Sequence, residues 1–261
     1  MIYGAIIGDI VGSRFEFDKS PKTKHFSFFD HRCKFTDDTI MTIAVAKALM
    51  MPANTEDERK KNIITQLKKF GRKYPYAGYG RAFMGWLMDN DSSPYNSWGN
   101  GSAMRCSIVG WLYDNIDTTF TVAKNTAEVT HNHPEGIKGA QATAAVIYMA
   151  RKRYSKNDIK SYIEKRFGYN LNRTCAEISP TYKHTESCQE TVPEAIICFL
   201  EGTDFEDVIR NCIYIGGDTD TLGAIAGAMA EAYYGVPEEF KREVSRYLDR
   251  DLLTELKTIE M

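Results

Sequence analysis

The sequence lacks most of the signals that would place it in several broad classes. It has no uncharged apolar run near the roughly 18 residues of a membrane span. Its N-terminus has no basic flank, and Asp9 interrupts the apolar stretch there, so no secretory leader is expected. Lys and Arg (33) nearly balance Asp and Glu (35), which argues against a general nucleic-acid or anionic-membrane binder. The six cysteines, Cys33, Cys106, Cys175, Cys188, Cys198 and Cys212, form no C-x-x-C pair. Their irregular spacing and apolar neighbours favour reduced thiols in a cytoplasmic protein. Neither repeats, low-complexity tracts nor alternating β patterns are present. What remains is a 43% hydrophobic chain of helical periodicity. The expectation is an all-α fold: one compact globule of roughly ten or more helices, a single domain over 1–261, with a monomer favoured.

The most informative stretch is Ile215-Gly216-Gly217-Asp218-Thr219-Asp220-Thr221, which opens into the small-residue run Leu222 to Ala228. Asp218, Asp220 and Thr221 fall at or just before a helix N-terminus, where orphan N–H groups and the macrodipole favour negative charge. Capping needs one such residue. Two aspartates and two threonines within four residues suit a hard divalent cation such as Mg²⁺ or Mn²⁺ better. A second cluster, Thr36-Asp37-Asp38-Thr39, opens another apolar helix running to Met51. If the two helix starts meet, four aspartates converge, and like charges that close stay ionised only with a counter-charge. Two divalent cations would supply it, and a binuclear site can activate water and clamp a leaving oxygen.

Other segments offer weaker signals. Ile2 to Gly12 reads as a helix whose Gly4, Gly8 and Gly12 recur at i, i+4, i+8, a row that permits close helix packing. Asp9 reads as a buried helix-to-helix hydrogen-bond acceptor. Glu16 is either a solvated residue past the helix end or, if the helix persists, an acid or base beside the metals. In residues 17–35, phenylalanines interleaved with bases could stack on a nucleobase, or simply pin the loop down. Tyr76 and Tyr79 could line a cleft. Lys60, Lys61, Lys68 and Lys69 read as a solvated face. Gly99-Asn100-Gly101-Ser102 feeds a helix expected to run through Leu112, and its backbone N–H groups could cradle phosphate or hydroxyl groups. His131 and His133 lack the companions of a transition-metal site, so a substrate contact by His131 is the better reading. A helix is expected from Thr191 with Pro193 in its first turn, and another from Pro237 to Leu256.

Taken together, Gly8-Asp9…Gly12…Glu16, Thr36-Asp37-Asp38-Thr39, Gly99 to Arg105, Thr130-His131 and Gly216 to Thr221 resemble the motifs of the ADP-ribosylglycohydrolase family. The resemblance implies an all-helical fold, a binuclear Mg²⁺ or Mn²⁺ centre, and hydrolysis of the glycosidic bond at C1″ of an ADP-ribose conjugate, including an ADP-ribosylated protein. By it, Thr36, Asp37, Asp38, Asp218, Asp220 and Thr221 match the metal ligands and Glu16 the glutamate near the scissile bond. Glu16 or Asp38 would handle the proton. Gly99, Asn100, Gly101, Ser102, Ala103, His131 and Gly217 would contact substrate. The cleaved linkage stays open between arginine, slightly favoured, serine, and a small ADP-ribose ester. A binuclear phosphohydrolase, another N-glycosidase, or an inactive ADP-ribose-binding or structural relative are the competing readings. Retention of all four aspartates and Glu16 speaks against the inactive one.

Overall fold

The computed structural model describes residues 1–260, which fold into fifteen helices and no strand. The chain begins with α1 (Tyr3–Gly12), α2 (Asp37–Leu49), α3 (Glu56–Lys73) and α4 (Arg81–Met88), followed by the short α5 (Gly101–Met104) and α6 (Val109–Leu112). Next come α7 (Ile116–Glu128), α8 (Pro134–Arg151), α9 (Lys156–Phe167) and the one-turn α10 (Cys175–Ile178). Helices α11 (Cys188–Glu201), α12 (Phe205–Ile215) and α13 (Thr219–Tyr234) precede the C-terminal α14 (Glu238–Val244) and α15 (Arg250–Glu260). The all-α expectation is met in one compact globule. No described helix is long and apolar enough to cross a membrane, and all six cysteines are free and buried.

The contact between α1 and α13 sets the position of everything near the site. Helix α13 is buried on every side from Thr219 to Ala232, as befits a central helix. The glycine row of α1 lies on the small residues of α13. A Cβ added to Gly8 would stand 1.9 Å from the Gly223 carbonyl oxygen, and one on Gly4 would stand 2.1 Å from that of Gly227. The two backbones therefore touch, and no side chain fits between them. At the end of the seam the Thr219 hydroxyl donates to the Gly12 carbonyl at 2.8 Å. Close packing offsets a helix-propensity cost of about 1 kcal/mol per glycine and fixes the register that brings the end of α1 to the start of α13.

Local chemistry explains most helix starts. Thr36 caps α2 by accepting from the Asp38 amide, and Thr55 caps α3 by accepting from Glu58. The Glu58 carboxylate reaches the Asn54 amide instead of completing a capping box.

Several expectations needed correction. The helix expected through Leu112 is interrupted between α5 and α6, because Arg105 turns inward to the Thr126 carbonyl and the Thr130 hydroxyl. Helix α11 starts at Cys188, so Pro193 sits in its second turn. The carbonyl it leaves unbonded belongs to the exposed Gln189, where water can serve. The C-terminal helix divides into α14 and α15: Tyr247 stacks on Phe29 at 5.8 Å and Asp249 caps a new start through the Leu252 amide. Lys68 is no part of a solvated face. It is buried, lies over Trp86, and donates to the carbonyls of Asp89 and Asp91. Most of the 17–35 loop is pinned by its aromatics, with Phe28 stacked on Phe240 and Arg210 over Phe26.

Candidate active site

Asp9 assembles the first acidic cluster. One of its carboxylate oxygens accepts from the Thr36 hydroxyl at 2.8 Å; the other accepts from the amides of Thr36 (2.9 Å) and Thr39 (3.1 Å) and from the Thr39 hydroxyl. This joins α1 to the start of α2, as the buried-acceptor reading expected. The glycine seam then delivers the start of α13 to the same place. The Thr221 hydroxyl donates to Asp38 Oδ2 at 3.3 Å, so the two acidic helix starts do meet.

Two overlapping groups of carboxylates result. Oxygens of Asp9, Asp38 and Asp220 lie within 4.8 Å of one another, as do those of Glu16, Asp218 and Asp220. Asp37 lies in neither group but lines the same cleft. The four hydrogen bonds to Asp9 occupy its oxygens, which makes it an organiser of the site. Glu16 reaches it from the turn after α1, since the helix does not persist beyond Gly12. The Asn100 side chain donates to Asp218 Oδ2 at 2.6 Å.

Burial and crowding hold these groups far from their ordinary behaviour. Asp37, Asp38 and Asp220 are pushed well above the usual carboxylate range, first by desolvation and then by their acidic neighbours. Desolvation also raises Asp218 to about 7, against hydrogen bonds that oppose it. Glu16 rises to about 7 through desolvation and the nearby Asp220, with His184 and Lys34 pulling the other way. Among the described residues, neither these five carboxylates nor Asp9 forms a salt bridge with a lysine, arginine, histidine or the N-terminus. Asp38 Oδ1 is buried with no hydrogen-bond partner. An unpaired buried acceptor amid uncompensated carboxylates is costly unless a cation completes it. The all-oxygen donor set fits a hard divalent ion.

The acids form the floor of a cleft of about 210 Å³. One wall is the Gly99–Gly101 loop with His131 behind it. Gly99 and Asn100 already spend their amides on the Ser97 hydroxyl and the Glu186 carbonyl, so the open cradle is smaller than the sequence suggests. Ser102 and Ala103 lie behind this wall, fully buried, with the Ser102 hydroxyl donating to the Gly136 carbonyl. Gly217 lies under Tyr182 instead of on the cleft surface: a Cβ there would stand 2.6 Å from the tyrosine ring. Thr36 is buried beside Asp38, whose Oδ2 lies 3.3 Å from its hydroxyl. His131 is buried beside Thr130, to whose hydroxyl its Nδ1 bonds at 2.7 Å. Desolvation, with Arg105 nearby, pushes its pKa well down, so it is neutral. His133 caps α8, and Tyr76 stands fully in solvent.

Sequence reasoning gave no role in the cleft to Arg105 or Glu186, whereas Phe17 lies in the phenylalanine-rich loop already read as able to stack on a nucleobase. Arg105 lines the cleft while almost wholly buried. Burial lowers its pKa only to about 10, so it remains a cation, and it has no acidic partner among the described residues. Phe17 is 57% exposed at the mouth, with its ring 4.9 Å from that of His184. Glu186 completes that side. An arginine inside an apolar motif was a readable hint. His184 and Glu186 sit in an irregular polar stretch that gave none.

Comparison with known proteins bears on the same assembly. The profile of the ADP-ribosylglycohydrolase family matches residues 1–259. The human protein named ADP-ribosylhydrolase ARH3 is 24% identical to this chain, the match covering 97% of this chain and 90% of that one. The protein named ADP-ribosylarginine hydrolase Tri1 from Pseudomonas putida (strain GB-1) is 22% identical, over 94% of this chain and 73% of its own length. A solved structure described as an ADP-ribosylglycohydrolase-related protein complex superposes with a TM-score of 0.70 at 22% identity, covering 99% of this chain and 95% of that one, which establishes a common fold.

Proposed function

The chain belongs to the ADP-ribosylglycohydrolase family and is a hydrolase of ADP-ribose conjugates, and from that premise we propose that it cleaves the glycosidic bond at C1″ with the help of two bound Mg²⁺ or Mn²⁺ ions. The whole chain would act as one domain, in a reducing compartment such as the cytoplasm. The observation that carries the reading is the convergence of Asp38, Asp218, Asp220 and Glu16, none of which forms a salt bridge among the described residues. Thr36, Asp37, Asp38, Asp218, Asp220 and Thr221 would hold the ions, which would supply charge neutralisation, Lewis-acid polarisation and activation of water.

The protein's own groups have distinct tasks. Hydrolysis at an anomeric carbon passes through an oxocarbenium-like state, and carboxylates facing it stabilise the developing positive charge. Glu16, raised to about 7, exchanges a proton readily near neutral pH, which suits a general acid or base. Asp38, with one oxygen free of protein partners, is the other group placed to take a proton from water. At the opposite end, the Arg105 cation and the Gly99–Gly101 loop suit an anionic diphosphate. Neutral His131 adds a donor or acceptor to that wall.

An arginine-linked ADP-ribose is the preferred substrate in this reading, because Glu186 and the open face near Phe17 offer acidic and aromatic surface to a guanidinium leaving group. The test is to incubate the purified protein with ADP-ribosyl-arginine, ADP-ribosyl-serine and O-acetyl-ADP-ribose, with Mg²⁺, with Mn²⁺ and with EDTA. Release of ADP-ribose that needs the metal and is fastest from the arginine conjugate is the expected result. Metal-independent release, or turnover of simple phosphate esters instead, would overturn it.

A further inference from the structure

Lys22 lies in the loop between α1 and α2, outside the cleft, yet its contacts lead directly to the cleft floor. Its φ of 50° is in the left-handed region, which a side-chain-bearing residue adopts at a cost of roughly 1 kcal/mol or more. Something must hold it there. Its ammonium donates to three backbone carbonyls: Ser179, Tyr182 at 3.1 Å, and Ile215 at 2.9 Å. An ammonium has three donors, and all three are used. Among the described residues no carboxylate pairs with it, so this is a mechanical tie and not an ion pair. The loop is anchored alongside by Ser20, whose hydroxyl accepts from the Lys22 amide and donates to the Ile213 carbonyl.

The tied carbonyl of Ile215 ends α12, and the next two residues make the turn into the acidic motif. Gly216 and Gly217 both have positive φ, 80° and 81°, and the Lys22 stem fills the outer side of that turn. A Cβ on Gly216 would stand 3.2 Å from Lys22 Cε. Asp218 and Asp220 follow on the inner side. We propose that Lys22 is a positioning residue for the acidic site: its ammonium fixes the Gly216–Gly217 turn from behind and thereby sets the affinity of Asp218 and Asp220 for divalent ions. This rests on the metal-binding reading given above.

The experiment measures Mn²⁺ affinity by calorimetry in the native protein, in Lys22→Met, and in Lys24→Met, which breaks the Lys24–Asp207 pair of the same loop without touching the turn. Lys22→Met should weaken Mn²⁺ binding by about tenfold or more, the usual effect of losing a residue that orients metal ligands, while Lys24→Met leaves it unchanged. Equal affinity in native and Lys22→Met protein, even with a lowered melting temperature, would reduce Lys22 to a structural staple and overturn the proposal. Should Lys22→Met fail to fold, the native protein decides. Coupling is reciprocal, so saturating Mn²⁺ should slow acetylation of Lys22 relative to Lys24, and unchanged relative rates would overturn the proposal. A native protein that binds no Mn²⁺ would instead refute the metal-binding reading itself, and this inference with it.

Discussion

The floor and the mouth of the cleft are built in opposite ways. The floor consists of two helix starts locked together by a glycine seam, by four hydrogen bonds onto Asp9 and by the Thr221–Asp38 contact. Nearly every polar atom there is buried. The mouth consists of irregular chain: Phe17 and Asp18, both at left-handed φ, face the segment from His184 to Glu186. One bond, from the His184 amide to Asp18 Oδ1 at 3.0 Å, ties the two sides. Rigid elements hold groups to the tolerance that chemistry needs, and loops present surface that varies with the leaving group. In the proposed reading, bond cleavage belongs to the floor and leaving-group selection to the mouth.

That division can be broken from either side, and the floor should respond most. Asp218→Asn and Asp37→Asn should each lower kcat/KM by about 100-fold or more, the scale of losing a main electrostatic contact to the transition state. The metal-free melting temperature should rise in both, because each change removes a buried carboxylate from a crowded site. Activity within a few-fold of native would remove the residue from the machinery. Glu16→Gln should lower kcat by about 100-fold while leaving Mn²⁺ and ADP-ribose affinity nearly intact. Loss of Mn²⁺ binding would make Glu16 a ligand instead.

A third effect is on stability. Asp9 is raised to about 6 and Glu16 and Asp218 to about 7, whereas the unfolded chain gives up these protons near pH 4. The unfolded state therefore sheds protons that the folded state keeps. The stabilisation is fully present below about pH 4 and is lost as pH climbs through the raised values. In EDTA the melting temperature should fall from about pH 5 to pH 7.5, and saturating Mg²⁺ should flatten the fall. An identical slope with and without Mg²⁺ would show that the carboxylates are not where the ion acts.

The smallest effect belongs to the mouth. Phe17→Ala should raise KM for ADP-ribosyl-arginine by about 3- to 10-fold, the size of one lost aromatic contact, with kcat unchanged. An equal change for every conjugate would mean that the mouth does not select. A fall in kcat instead would mean that the mouth belongs to the chemistry.

The floor was legible in the sequence because its signals are local. Asp37 and Asp38 stand beside their cap Thr36, Asp218 to Thr221 stand within four residues, and Gly4, Gly8 and Gly12 keep helical spacing. Each pattern states its own geometry. The mouth was legible only in part: the phenylalanine-rich loop was read as able to stack on a base, but Phe17 meets His184 only through the tertiary fold and neither lies in a periodic segment. Glu16 could be placed near the site from sequence only if the helix continued past Gly12; the helix ends there as read, and Glu16 reaches the site from the turn that follows. Lys68 was misread, and Arg105 was given no role, because a cation satisfied by backbone carbonyls looks, in sequence, like any other cation.

Whether two distant acidic helix starts share bound divalent ions is decided by a crystal grown with Mn²⁺ and an anomalous difference map. Two peaks are expected between Thr36–Asp38 and Asp218–Thr221. A fully occupied Mn²⁺ elsewhere in the same crystal with no peak between those segments would contradict that expectation.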